Sequence, residues 1–168
     1  MAWQRAGPSW LQESYHTKCL LPKSKQFSHK TLMTDTFTKS ERSRIMAAVK
    51  SKDTTPELVV RRLVHSLGYR YRLHVRSLPG SPDLVFPRLM KVINVNGCFW
   101  HLHKCPMCRV PSSKRKYWVA KLQRNAKRDK ENLRKLRRKG WRVMVIWECQ
   151  ITSKRLPQLK AKIISFLE

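Results

Sequence analysis

Three cysteines and two histidines fall within a short stretch: Cys98, His101, His103, Cys105 and Cys108. Cys98, His103 and Cys105 form a Cys-x4-His-x-Cys cluster. Its soft thiolates and imidazole suit zinc rather than magnesium or calcium. A fourth ligand would close a tetrahedron, and the chain offers two. Cys108 is adjacent, through Cys105-Pro106-Met107-Cys108. Cys149 is remote, but it follows an apolar strand-like run just as Cys98 does. If those two strands are parallel neighbours, both thiolates leave the sheet at the same edge. The plainer reading makes Cys149 a buried core thiol and gives Cys105 and Cys108 a knuckle of their own. Spacing alone leaves that choice open.

A second chemistry calls for hard oxygen ligands. Ser77-Leu78-Pro79-Gly80-Ser81-Pro82-Asp83 runs directly into an apolar strand. Pro-Asp is an ordinary turn, but it also holds a carboxylate at the rim of a sheet. Carboxylates are scarce in this chain, so this one carries more information than usual. Mg²⁺ on such a group can activate water and neutralise charge at a phosphodiester. Glu57 is the second candidate, because it shares a helical stripe with Val60 and Val64. As a first-turn residue it could equally do no more than complement the helix dipole, and the residues alone slightly favour that. His101 lies between zinc ligands and suits general acid–base work beside a carboxylate-bound metal. The plainer alternatives are a spectator or a substitute for His103. His65, His74, His16 and His29 have no comparable setting and read as structural or surface residues.

Phe99-Trp100 sit inside the same loop, and Tyr117-Trp118 open a strongly basic segment. Rigidly held aromatics can wedge between base steps, although core packing is the commoner fate of a Trp. Trp141 and Trp147, at and within a strand-like run, are assigned to packing.

These groups need elements to place them. Ser40 is a plausible N-cap for a helix through Arg42–Val49. Thr54-Thr55-Pro56-Glu57 opens another helix, with Pro tolerated in its first turn. Val60, Leu63, Val64 and Leu67 give that helix an apolar face, and Gly68 ends it. Leu84–Phe86, Val92–Val95 and Val143–Trp147 read as strands, the first two joined by a hairpin-length connection. Between the second and third lies Lys114–Lys139, a basic helix with a partial apolar stripe at Leu122, Ala126, Leu133 and Leu136. Strand, crossover helix and strand imply a parallel pair within a mixed sheet. The last helix spans about Leu156–Phe166. The fold class is therefore α/β. Residues 1–37 show no sustained period and read as a disordered N-terminal extension, with the ordered domain at 38–168. Met33 lies just before the ordered pattern and is an alternative start.

Composition narrows the partners. Lys and Arg total 37 against 10 Asp and Glu, a formal net charge of +27. Such an excess points to a polyanion, and charge alone does not separate DNA, RNA and an anionic membrane. No apolar run reaches the roughly 18 residues of a membrane span, and no secretory h-region is present. Clustered, odd-numbered cysteines favour a metal site over disulfides, and a reducing cytosol or nucleoid fits.

Five stretches, taken in order, resemble the very-short-patch mismatch repair (Vsr) endonucleases: Arg42-Ser43-Arg44-Ile45-Met46, Ser51-Lys52-Asp53-Thr54, Leu78-Pro79-Gly80-Ser81-Pro82-Asp83, Asn96-Gly97-Cys98-Phe99-Trp100-His101, and Gly140-Trp141-Arg142-Val143 through Cys149. The resemblance runs from about Phe37 to Cys149. It implies a restriction-endonuclease-like three-layer fold, a mixed central sheet flanked by helices, with a structural zinc site. It implies nicking of one strand 5′ of the thymine in T·G mismatches, which arise when 5-methylcytosine deaminates. It implies Mg²⁺ on Asp83 and the main-chain carbonyl of Val95, a catalytic His101, and Glu57 assisting through a water at that metal. Zinc would be held by Cys98, His103, Cys105 and Cys149. Phe99, Trp100 and Trp118 would intercalate from one groove while Met46 and Val49 approach from the other, with Lys121 and Asn125 contacting the mismatch. Asn96 stands where some members of the family carry a second catalytic His. The expected partner is mismatched double-stranded DNA, acted on by a monomer in the bacterial cytoplasm, at the nucleoid; mismatch repair proteins are candidate partners. Two other readings stand beside it. A nuclease of the same fold and different specificity would cut matched duplex as well. A zinc-stabilised nucleic-acid-binding module would not need Asp83 and His101 together.

Overall fold

The computed structural model describes residues 52–168, together with positions 38, 40, 41, 44 and 47. The expected extension at 1–37, Met33 as a start, and the groove-facing Met46 and Val49 lie outside the described residues. At the first described helix the N-cap expectation shifts. Ser40 is already helical. Thr38 takes the cap, with its Oγ1 accepting from the Glu41 N–H at 3.2 Å and its own N–H donating to Glu41 Oε2 at 2.8 Å. This reciprocal pairing is a capping box, and it satisfies two amide donors where Ser40 would have met one.

Helix α1 spans Thr55–Ser66, with Thr54 at its N-cap and Pro in its first turn. Gly68 follows with φ +88°, a left-handed conformation that costs a glycine little and stops the helix. The chain then makes four strands: β1 (Arg72–Leu73), β2 (Leu84–Phe86), β3 (Lys91–Asn96) and β4 (Arg142–Trp147). They lie in the order β1-β2-β3-β4, with β1–β2 and β2–β3 antiparallel and β3–β4 parallel. The two-residue β1 is too short for a period-2 pattern to announce it. The β2–β3 connection is a 3₁₀ turn at Pro87–Leu89, closed by Met90 at φ +51°. Helix α2 (Arg115–Arg138) makes the crossover, and α3 (Leu156–Leu167) ends the chain.

Alternation along the strands sends apolar side chains to both faces. Leu84, Phe86, Ile93, Val95 and Ile146 pack with Val60, Leu63 and Val64 of α1 and with Leu159, Ile163 and Leu167 of α3. Val85 and Val92 point the other way and pack with Leu136 of α2. Each fully buried side chain of this size contributes about 1.5–3 kcal/mol. Both faces of the sheet are therefore committed, and the strand ends are held in fixed register. Lys91 is buried at the foot of β3, where its Nζ donates to the Leu167 carbonyl at 3.0 Å and so answers the open C-terminus of α3. Among the described residues no helix is long and apolar enough to cross a membrane.

Candidate active site and metal centre

The parallel register of β3 and β4 pairs Asn96 with Trp147. Cys98 and Cys149 each lie two residues beyond that pair, so the two thiols emerge side by side. The chain between them adds His103 and Cys105. One ligand atom from each of these four residues lies within 4.8 Å of the other three. His103 Nδ1 stands 3.6 Å from Cys98 Sγ and 3.5 Å from Cys149 Sγ. A tetrahedral zinc with ordinary Zn–S and Zn–N bonds requires an S···N edge of about 3.6 Å, so the donor set fits the ion. Cys108 is outside this group; its amide bonds back to the Cys105 carbonyl at 3.0 Å and turns the loop. Burial pushes the Cys98 thiol up to about 12 in the metal-free chain, so it ionises only when a cation takes the place of its proton. Trp147, assigned to packing from sequence, stacks on the His103 ring at 4.2 Å and 9° and fixes that ligand's plane. Glu148 was not anticipated either: its Oε2 accepts the Cys98 N–H at 3.2 Å.

The acidic group forms where β2 and β3 begin to diverge. Gly80, at φ +76°, packs so closely on α2 that a Cβ there would lie 2.9 Å from Asn132 Nδ2. The tight loop delivers Asp83 to the edge of β2. Its Oδ2 accepts the Val95 N–H at 2.7 Å, and its side chain is only 20% exposed. Burial, and then the nearby Glu57 charge, push the Asp83 carboxyl up to about 6, against the lowering effect of the Val95 amide. Glu57 is 4% exposed, far more buried than a residue that only complements the helix dipole needs to be. Its Oε1 accepts from Thr54 Oγ1 at 2.9 Å, and its Oε2 accepts from the Asp53 N–H and from Arg61 Nη2, each at 3.0 Å.

His74, read from sequence as a structural or surface residue, lies part-buried beside the acidic group. It reaches between Glu57 and Asp83, with Nε2 4.0 Å from Glu57 Oε2 and Nδ1 3.8 Å from Asp83 Oδ1. Its φ of +45° is uncommon for a residue with a Cβ. No local sequence pattern announces that conformation. Arg61 could have been suspected, because it sits one turn after Glu57 on the buried side of α1.

His101 is half-buried, and its Nδ1 lies 2.5 Å from Asp129 Oδ2 of α2. The signal for Asp129 was present in the sequence. It interrupts the stripe Leu122, Ala126, Leu133 and Leu136, a polar residue at a position that faces the sheet. Asn96 ends β3, half-buried, opposite Trp147.

The aromatics form one group rather than three separate wedges. Phe99, Trp100 and Trp118 meet edge to face, with centroids 4.9–6.1 Å apart, and Tyr117 joins Trp118 at 5.4 Å. Lys121 Nζ lies 5.3–5.7 Å from the Trp118, Trp100 and Tyr117 ring centres. Asn125 Nδ2 donates to the Trp100 carbonyl at 3.2 Å. The zinc-ligand loop and the first turns of α2 thus carry a single patch of aromatic faces and cations.

Known proteins are similar to this chain over most of its length. The family model described as DNA mismatch endonuclease Vsr matches residues 34–107. The type II nicking enzyme V.XorIIP of Xanthomonas oryzae is 43% identical over 136 residues, 81% of this chain and 98% of that protein. The type II nicking enzyme V.NmeAIP of Neisseria meningitidis is 38% identical over 124 residues, 74% of this chain and 89% of that protein. The DNA mismatch endonuclease Vsr of Escherichia coli is 37% identical over 119 residues, 71% of this chain and 76% of that protein.

Proposed function

The chain belongs to the Vsr family of DNA mismatch endonucleases, and from that premise we propose that it nicks one strand of a duplex 5′ of the thymine in a T·G mismatch. The observation that carries the reading is Asp83. In a chain of net charge +27, this carboxyl is sunk at a strand edge with one oxygen tied to the Val95 amide. The donor set suits magnesium. Both main-chain polar groups of a strand residue point to the same neighbour, so the Val95 carbonyl lies on the Asp83 side and is the second protein ligand. A Mg²⁺ ion held there supplies charge neutralisation at the phosphate and a more acidic water.

The chain's own residues do the rest. A water oxygen bonds to phosphorus as the bond to the leaving oxygen breaks, and that oxygen takes a proton from solvent and departs as a hydroxyl. His101 takes the proton that the water loses, on Nε2, because Nδ1 is engaged by Asp129. Glu57 holds water at the site through Oε1, and Asn96 contributes its amide in place of a second histidine. Cys98, His103, Cys105 and Cys149 would hold a zinc ion, which would pin the loop and take no part in the chemistry. Phe99, Trp100 and Trp118 enter the stack beside the mismatch, Lys121 and Asn125 meet its edges, and Met46 and Val49 approach from the opposite groove. The domain is 38–168, monomeric, with a restriction-endonuclease-like three-layer arrangement, acting at the bacterial nucleoid.

A nicking assay tests this on T·G, other mismatched and matched duplexes, with and without Mg²⁺. Nicks confined to the T-strand of T·G duplex and dependent on Mg²⁺ are expected. Equal cutting of matched duplex would favour a nuclease of other specificity. Mg²⁺-dependent nicking retained by Asp83→Ala would remove Asp83 from the chemistry.

A further inference from the structure

Asp53, Glu57 and His74 present three ligand atoms within 4.8 Å of one another, spacing that suits a metal ion. Arg61 already occupies that space. Its side chain is buried, only 7% of the residue being exposed. Nη1 meets Asp53 Oδ1 at 2.5 Å, and Nη2 meets Glu57 Oε2 at 3.0 Å and His74 Nε2 at 2.9 Å. A guanidinium has donors and no acceptor. His74 Nε2 must therefore be the acceptor of that contact, and the ring proton resides on Nδ1. Nδ1 is the atom facing Asp83 Oδ1, 3.8 Å away. The one lone pair with which His74 could bind a metal is spent on Arg61.

We infer that Arg61 is a positioning residue whose guanidinium stands in for a second divalent cation among Asp53, Glu57 and His74, so that the acidic site takes one ion, at Asp83, and His74, its Nε2 held by Arg61, is not a ligand. This rests on the metal reading of Asp83 given above. A divalent ion bound to the same oxygens would sit within about 2.1 Å of them, in the volume that Nη2 fills, and would be repelled by the fixed positive charge. The arrangement also explains the strained backbone at His74. The left-handed turn is held because the ring is gripped on one side by Arg61 and faces a carboxylate on the other.

The test counts Mn²⁺ ions, by electron paramagnetic resonance, on the zinc-loaded full chain. About one per wild-type chain is expected. Arg61→Gln keeps an amide donor and loses the charge; it should take about two, and its nicking should rise more steeply with Mn²⁺ than the first-power dependence of wild type. Arg61→Lys restores a positive charge and should return the count to about one, which a merely structural role would not do. Asp83→Asn should lose the single ion. A wild-type count of two, or an Arg61→Gln count that stays at one, overturns the inference and leaves the metal reading of Asp83 in place. A wild-type chain that binds no Mn²⁺ overturns both.

Discussion

Asp83 carries a cost in the folded chain. Its carboxyl is raised to about 6 from an ordinary 3.8, with burial as the main cause. For a group raised in the folded state, the folded chain is favoured when the proton is on. That contribution is fully present below the unfolded value and is lost as pH rises through the folded one, here between about 4 and 6. The loss is on the order of 3 kcal/mol. Asp83→Asn keeps an acceptor for the Val95 amide and has nothing to ionise. In magnesium-free buffer with zinc retained, its melting temperature should overtake that of wild type as pH rises from 4 to 7, while nicking is abolished. Parallel melting curves would show that the carboxyl is not strained. The His101–Asp129 pair makes a different prediction. Asp129→Asn removes the charge that orients the ring and should lower kcat by on the order of 10²-fold with little change in KM; an unchanged kcat would make the contact incidental. Asp83, His101 and the cysteines were legible in the sequence because their residue types are rare and clustered. Arg61 and His74 were not, because they meet across thirteen residues through a backbone conformation that no local pattern encodes.

At the scale of elements, the metal centre follows from strand register. Asn96 pairs with Trp147 in parallel, so whatever follows each strand by two residues must meet. Helix α2 makes the parallel pairing possible, because parallel strands need a long crossover connection between them. The order of strands and helices was readable from apolar runs and a basic helix, but the register was not: pairing is a long-range choice made by the two packed faces. This is why Cys108 and Cys149 could not be separated by spacing, and why their geometry separates them. Cys149→Ala should reduce zinc to well under one per chain, measured by atomic absorption on dialysed protein, and Cys108→Ala should leave about one. The reverse result would move the fourth ligand to the loop. The same centre anchors Phe99 and Trp100 against Trp118 of α2. Loss of zinc should therefore cost duplex binding.

Across the whole molecule, negative charge is rationed. Of its ten acidic residues, Asp53, Glu57, Asp83, Asp129 and Glu148 serve the two sites, each facing a histidine, a guanidinium or a strand-end amide. Among the described residues Glu41, Glu131 and Glu168 are exposed acids, far outnumbered by exposed cations, and α2 alone turns most of its Lys and Arg to solvent. A partner bound by such a surface is held first by its phosphates, and the aromatic patch and the carboxylates then select among phosphate-bound complexes. Binding should be steep in salt. If about six to ten phosphates are neutralised, affinity for any duplex should fall by roughly 10³–10⁵ between 50 and 200 mM salt. Lys121 tests the division of labour, because it sits over the aromatic rings rather than on the open helix face. Lys121→Ala should reduce the preference for mismatched over matched duplex, measured by competition binding at fixed salt. Arg134→Ala, exposed on α2, should weaken both duplexes alike and lower the salt slope by about one. If the two substitutions behaved identically, phosphate binding and mismatch selection would be the same surface, and the rationing of charge would have no bearing on specificity.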